Sequence, residues 1–193
     1  MTLDGCLFDT QIIQLKKLDM ATIWKLDPTH SEITFKVKHL MISNVKGEFT
    51  TFDAIIDGEK FEDSTITATI DAGSVFTNNT DRDGHLKSAD FFEVEKYPEL
   101  TFKSTTITKE DDDYVMTGEL TIKGTTKTIE LDVEFGGYMT DPYGNAKAGF
   151  SIEGKINRKD FGLNWNAALE TGGVLVSDDV KIAAEVQFVK TEA

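Results

Sequence analysis

From Met20 onward, hydrophobic and polar positions alternate along the chain with a period of two almost everywhere. In Ser31 to Leu40, Ile33, Phe35, Val37 and His39 share one face, while Thr34, Lys36 and Lys38 share the other. That is the alternation of a half-buried strand. The same split recurs in Ile66, Ala68, Ile70 and Ala72; in Leu100 and Phe102; in Tyr114, Met116, Gly118, Leu120 and Ile122; and in Ile129, Leu131, Val133 and Phe135. It returns in Ala148, Phe150, Ile152, Gly154 and Ile156, and again in Val180, Ile182, Ala184, Val186 and Phe188. Strands of a parallel sheet covered on both faces would read as continuous apolar runs, so these are antiparallel. Short polar or Gly/Pro links at Glu110 to Asp113, Lys123 to Thr126 and Asp141 to Asn145 predict hairpins and a meander of neighbouring strands. Between residues 45 and 58 the phase slips, with Val45, Gly47 and Phe49 in one register and Phe52, Ala54 and Ile56 in the other, which predicts a bulge or sharp bend. Only Asn79 to Phe92 looks helical. About eight strands, few helices and no break in composition predict an all-β chain folded as one closed or nearly closed antiparallel barrel.

A barrel of about eight strands has an interior that side chains can just fill or that can hold one small ligand. Small inward residues, among them Ala68, Ala72, Gly118, Ala148, Gly154 and Ala184, leave both outcomes open: they can create space, or they can interlock with the rings opposite. A tilted strand of 11 residues gives a tube nearly 28 Å tall, by order of magnitude, long enough for an elongated apolar molecule.

Charge narrows the partners. The 193 residues carry 34 acidic against 20 basic side chains, a formal net charge of −14. Such a chain would be repelled by a phosphate backbone and equally by an anionic membrane surface, so nucleic acid is not an expected partner. The single cysteine, Cys6, excludes an internal disulfide and a thiolate metal site. Residues 1 to 20 lack the strand pattern and the marks of an export signal, and no run reaches the roughly 20 apolar residues of a membrane span. The expectation is therefore an N-terminal extension over 1–20, loosely docked or disordered, a barrel domain over 21–193, and a cytoplasmic protein that is not integral to a membrane.

Enzyme signatures are weak. Gly149 to Ile156 imitates a phosphate-cradling loop but ends in Ile156 where a Ser or Thr would hold magnesium, and it alternates as a strand. Three histidines, His30, His39 and His85, have no diagnostic metal spacing. His39 shares the inner face of its strand, which suits a structural or ligand-anchoring ring. Asp81, Arg82 and Asp83 beside His85 read either as an ion-paired loop fastening or as a polar lip, since Arg and protonated His donate charge-assisted bonds to phosphate or carbonyl oxygens.

Several ordered motifs carry a resemblance. Trp24 to Ser31, Phe35 to His39 and Val45 to Phe49 resemble the opening of the YceI-like family of polyisoprenoid-binding proteins. Thr80 to Leu86 with Asp90 to Phe92, Tyr97-Pro98, Thr101 to Ser104, Gly118 to Thr126 and Asn157 to Gly162 continue it in order, so the likeness covers about residues 21 to 190. The resemblance implies an extended, eight-stranded, lipocalin-like barrel with a short helix, an apolar pore for an isoprenoid or other long-chain lipid, no cofactor and no catalytic residue. Combined with strand phase, it assigns Phe35, Val37, His39, Phe49, Ile70, Phe102, Leu120, Leu131 and Phe150 to the pore, and Arg82, His85, Phe91, Phe161 and Trp165 to its mouth. Many relatives carry an export signal, which this pattern lacks. The alternatives are a metal-dependent or hydrolytic enzyme using His30, His39 and His85, or a stress-response interaction module; a homodimer is the assembly considered.

Overall fold

The computed structural model describes residues 22–167 and 175–191, so the expectation for residues 1–20 lies outside the described residues. Strands β1 (Ile23–Leu26) and β2 (Glu32–His39) form one wall strand broken by a 3-10 turn at Pro28–His30. Pro28 opens that turn, where a missing N–H costs nothing, and the Asp27 carboxylate accepts from the Thr29 N–H. Strands β3 (Ser43–Phe49) and β4 (Phe52–Asp57) form the next, broken at Thr50-Thr51 where the hydrophobic phase slips. The third is β5 (Thr65–Asp71) with β6 (Val75–Phe76), joined through the turn Ala72–Ser74. Five long strands complete the wall: β7 (Glu99–Glu110), β8 (Asp113–Ile122), β9 (Thr125–Thr140), β10 (Ala146–Asn157) and β11 (Val176–Thr191). All pairings among the described residues are antiparallel, and β11 closes the ring by pairing with β1 through Phe188 to Thr191 and with β2 through Val176 to Glu185. The result is a closed, eight-stranded, lipocalin-like antiparallel barrel with one short helix among the described residues.

Closure is complete at one end only. There β4, β5 and β7 pair in turn, whereas at the other end β6 pairs with β3 for two residues and makes no pairing with β7. Helix α1 (Thr80–Lys87) and the turns after it bridge that gap. Phe92 packs edge-on against Phe49 of β3 at 5.8 Å, and the Lys123 ammonium at the β8–β9 turn donates to the Ala89 carbonyl at 2.7 Å. Asn79 caps the helix by accepting from the Arg82 N–H, and Asp81 and Asp83 sit in its first turn, where the helix dipole favours negative charge.

The closed end is filled. Phe61, delivered by a 3-10 turn between β4 and β5, lies 4.6 Å from Phe150 and 5.1 Å from Tyr114, and Phe150 in turn contacts Phe135 at 5.1 Å and Phe188 at 5.9 Å. A bulge in β9 enlarges this plug. The register of β9 against β10 shifts at Gly136, with Gly137 at φ +95°, so Phe135 and Tyr138 point the same way although three residues apart. Tyr138 then meets Phe135 at 4.8 Å and stacks on Trp24 at 5.4 Å.

Candidate functional site

Along β2 the inward residues Ile33, Phe35, Val37 and His39 are none of them fully buried, although the alternation is the same as in β8, whose inward residues all are. On β11 burial rises along one strand, from half-buried Val180, Ile182 and Ala184 to buried Val186 and Phe188. These half-buried faces look onto a cavity of about 530 Å³ at the end where the ring is incomplete. Its walls are almost wholly apolar, from β2, β3, β11, the ends of β5, β7, β8 and β10, and α1 with Phe91 and Phe92. A volume of this size falls within the ordinary range for small-molecule sites.

Of the residues expected in the pore or at its mouth, Phe35, Val37, His39, Phe49, Ile70, Leu120, Arg82, His85, Phe91 and Trp165 stand in this wall. Phe102, Leu131, Phe150 and Phe161 do not. Phe150 belongs to the aromatic plug. Phe102 and Leu131 are consumed by glycines: a Cβ on Gly118 would lie 2.4 Å from the Phe102 ring, and one on Gly154 would lie 2.4 Å from the Leu131 side chain. The small inward residues thus interlock with bulk at these two places and do not supply the free volume. Phe161, 1% exposed, is the buried last residue of the 3-10 turn Arg158–Phe161.

The polar groups gather on one side. Arg82 folds back on Thr77, its Nε donating to the hydroxyl and its Nη2 to the carbonyl, both at 2.7 Å, while the Asp83 carboxylate accepts from the Thr77 N–H and O–H. The expected ion-paired fastening is therefore a hydrogen-bonded one built on Thr77, which leaves the Arg82 charge without a carboxylate partner among the described residues. His85 contacts Asp90 through Nε2 at 3.0 Å and meets Phe91 and Trp165 edge-on at 5.1 and 4.7 Å. His30 lies elsewhere, on the outside of the wall, paired with Asp27 at 3.0 Å and its side chain 62% exposed. Lys147 reaches the same carboxylate at 2.9 Å, and the Thr29 hydroxyl above all, then Lys147, hold the Asp27 carboxyl well below the usual range. His39 and His85 share the cavity wall while His30 lies outside it, and among the described residues no group of three His, Cys, Asp or Glu side chains could hold a metal ion.

Arg158 is the residue that strand phase passes over. Its side chain is 3% exposed, and it donates to the carbonyls of Ser177, Leu163 and Trp165 at 2.9, 2.6 and 2.8 Å, with Asp178 at 3.4 Å. Burial lowers its pKa and Asp178 opposes that shift. A planar guanidinium with five donors suits this task, because it pins the chain after β10 to the start of β11 and so shapes the cavity rim. Its only sequence signal is its place in the motif Asn157 to Gly162.

Comparison with known proteins places these features in context. Residues 24–188 match the family model described as the YceI-like domain. Proteins designated UPF0312 in Staphylococcus epidermidis and Staphylococcus aureus are 45% and 42% identical over 170 residues, spanning 86% of this chain and 97% of each relative. The structure of a Campylobacter jejuni YceI protein superposes with a TM-score of 0.70 at 40% identity, covering 80% of this chain and 90% of that one. BcnA of Burkholderia cenocepacia gives 0.73 at 24% identity, over 84% and 98% of the two chains. A polyisoprenoid-binding domain from Saccharophagus degradans, implicated in plant cell wall breakdown, gives 0.62 at 18%, over 87% and 98%. The last two likenesses speak for the fold alone.

Proposed function

The chain belongs to the YceI-like family, and from that premise we propose that it binds an isoprenoid or similar long-chain amphiphile in its cavity and sequesters or carries it. The observation that carries this reading is a cavity of about 530 Å³ whose almost wholly apolar wall includes His39, Arg82 and His85. A methylene takes roughly the share of space of a water molecule, about 30 Å³. The cavity then accepts on the order of fifteen to twenty carbons, with the tail ending against the aromatic plug. Ten buried methylenes supply about 8 kcal/mol before ordering costs, so affinity is easily reached. Selection falls to the head group, since an apolar wall distinguishes one methylene more or less only weakly. Arg82 spends Nε and Nη2 on Thr77 and carries the charge that a phosphate or carbonyl oxygen would meet.

The reading is of a binder and not an enzyme, supported by the apolar wall and by the place of His30 outside it. Protein purified from its host without detergent, then denatured, extracted and analysed by mass spectrometry, is expected to yield a long-chain lipid near one per chain. Repeated extracts without lipid would overturn it. If a Val37→Trp variant without bound lipid kept full cellular function, the barrel would be a scaffold for its surface and not a carrier.

A further inference from the structure

The β2–β3 hairpin, at the open end of the barrel, has two features that the cavity does not use. Its tip is Leu40-Met41-Ile42, with Met41 62% and Ile42 84% exposed. Leu40 and Met41 hold φ of 53° and 61°, the left-handed region where Asn or Gly is the usual occupant of a hairpin and a side chain costs about 1–2 kcal/mol. Leu40 is half-buried, but Met41 carries this cost while facing water and, like Ile42, serves no core. The second feature lies in the register. Lys155 stands opposite Lys181, Lys181 opposite Lys36, and Lys36 opposite Lys46, so four exposed lysines form one row across β10, β11, β2 and β3. At about 4.8 Å per strand the row is roughly 14 Å long, and like charges in direct opposition destabilise a sheet. Lys155 pairs with Asp179 at 3.2 Å, whereas Lys36, Lys46 and Lys181 join no ion pair among the described residues. On the same outer face Lys38 and Asp179 lie one step nearer the open end, Asp179 being the partner of Lys155, and Glu48 and Glu153 lie one step farther away.

We propose that this end of the barrel docks on an anionic lipid bilayer, with Met41 and Ile42 entering the acyl boundary and the lysine row resting at the phosphates. Lys36 and Lys46 each stand four residues from the tip, about 13 Å along a strand and about 10 Å along the axis of a barrel tilted by about 40°. That matches the 5–10 Å depth typical of interfacial elements, and long lysine stems extend the reach. His39 and Val45, at the base of the same tip, already belong to the cavity wall, so docking brings the cavity to the lipid. The net charge of −14 taken alone predicts repulsion. Charges act mainly within a Debye length of about 8 Å, so the lysines without an ion pair govern the approach of this face, Asp178 and Asp179 at the start of β11 being paired already with Arg158, Lys159 and Lys155.

The purpose of docking, lipid exchange, rests on the proposed lipid binding, yet the two are measured apart. The full chain is floated with vesicles of phosphatidylcholine, or of phosphatidylcholine and phosphatidylglycerol in equal parts, and separately titrated with a fluorescent isoprenoid in dilute detergent. Flotation is expected with the mixed vesicles only, and is lost near 1 M salt, where the Debye length falls to about 3 Å. A Met41→Ser/Ile42→Ser variant should bind at least tenfold more weakly, and Lys36→Gln, Lys46→Gln and Lys181→Gln about fivefold more weakly for each lysine removed, all with isoprenoid uptake unchanged. Failure of the native chain to float, or flotation of folded variants equal to it, overturns the proposal. So does a dimer in sedimentation velocity that the tip variant abolishes while vesicles bind nothing, since the tip would then serve a second copy. Flotation without isoprenoid uptake upholds docking and sinks the lipid-binding reading; uptake without flotation does the reverse.

Discussion

The two ends of this barrel are written in the same alternating code and end in opposite states. At one end Phe61, Phe135, Phe150 and Phe188 close ring against ring, and Met116 and Val133 are 2% and 1% exposed. At the other, Ile33, Phe35 and Val37 present the same period but face about 530 Å³ of open cavity. The difference comes from the wall. Where β4, β5 and β7 pair in turn the barrel is narrow and fills, and where β6 parts from β7 it is spread and spanned by α1. An inward apolar residue therefore means core or lining according to whether the ring is complete at its level.

The largest test of this contrast is Phe150→Ala. In the plug it should cost about 3–5 kcal/mol by denaturant unfolding, while Phe35→Ala, whose ring already borders open space, should cost less than half of that. Equal losses would mean that the cavity end is as tightly packed as the plug. Arg158→Met comes next, and it separates the two kinds of order in the molecule. The open end is held by hydrogen bonds, so leaving the carbonyls of Leu163, Trp165 and Ser177 without their donor should cost roughly 3 kcal/mol. Stability unchanged in this variant would show that the rim does not depend on the guanidinium. A smaller effect distinguishes the ends by overpacking. Ala148→Leu, at a 2% exposed site, should destabilise by about 1–3 kcal/mol, whereas Val37→Trp should grow into the cavity at a cost below about 1 kcal/mol and displace the lipid.

The smallest effect is at Asp27, which fastens the break between β1 and β2. Its folded-state pKa is depressed, so its contribution is present above the unfolded carboxylate value of about 4 and is lost as pH falls through the folded value. Asp27→Asn should cost about 1–2 kcal/mol at neutral pH, and it should flatten the acid limb of the stability curve measured below about pH 4. An unaltered acid limb would remove Asp27 from that account.

Much of the fold was legible in the chain. Period-two alternation gave the inner and outer faces, the slip between residues 45 and 58 marked the break between β3 and β4, and the helix lies within Asn79 to Phe92 but ends at Lys87. Part of the cavity wall was legible too, because strand phase and family resemblance selected ten residues that stand in it. Phase could not separate Phe49 from Phe150, which obey the same rule at different heights of the barrel. It also could not find Arg158, which gathers carbonyls from the chain just after it and from Ser177 on β11, nor foresee that Gly118 and Gly154 seat Phe102 and Leu131 instead of opening space.

What the sequence by itself determined is thus which way each side chain points, since that follows from the two-residue repeat of an extended backbone. How much room lies in front of it was decided by tertiary structure alone. Cavity, plug and lysine row all arise from which strands pair, in what register and how far around the ring, and those distances join residues that are far apart along the chain.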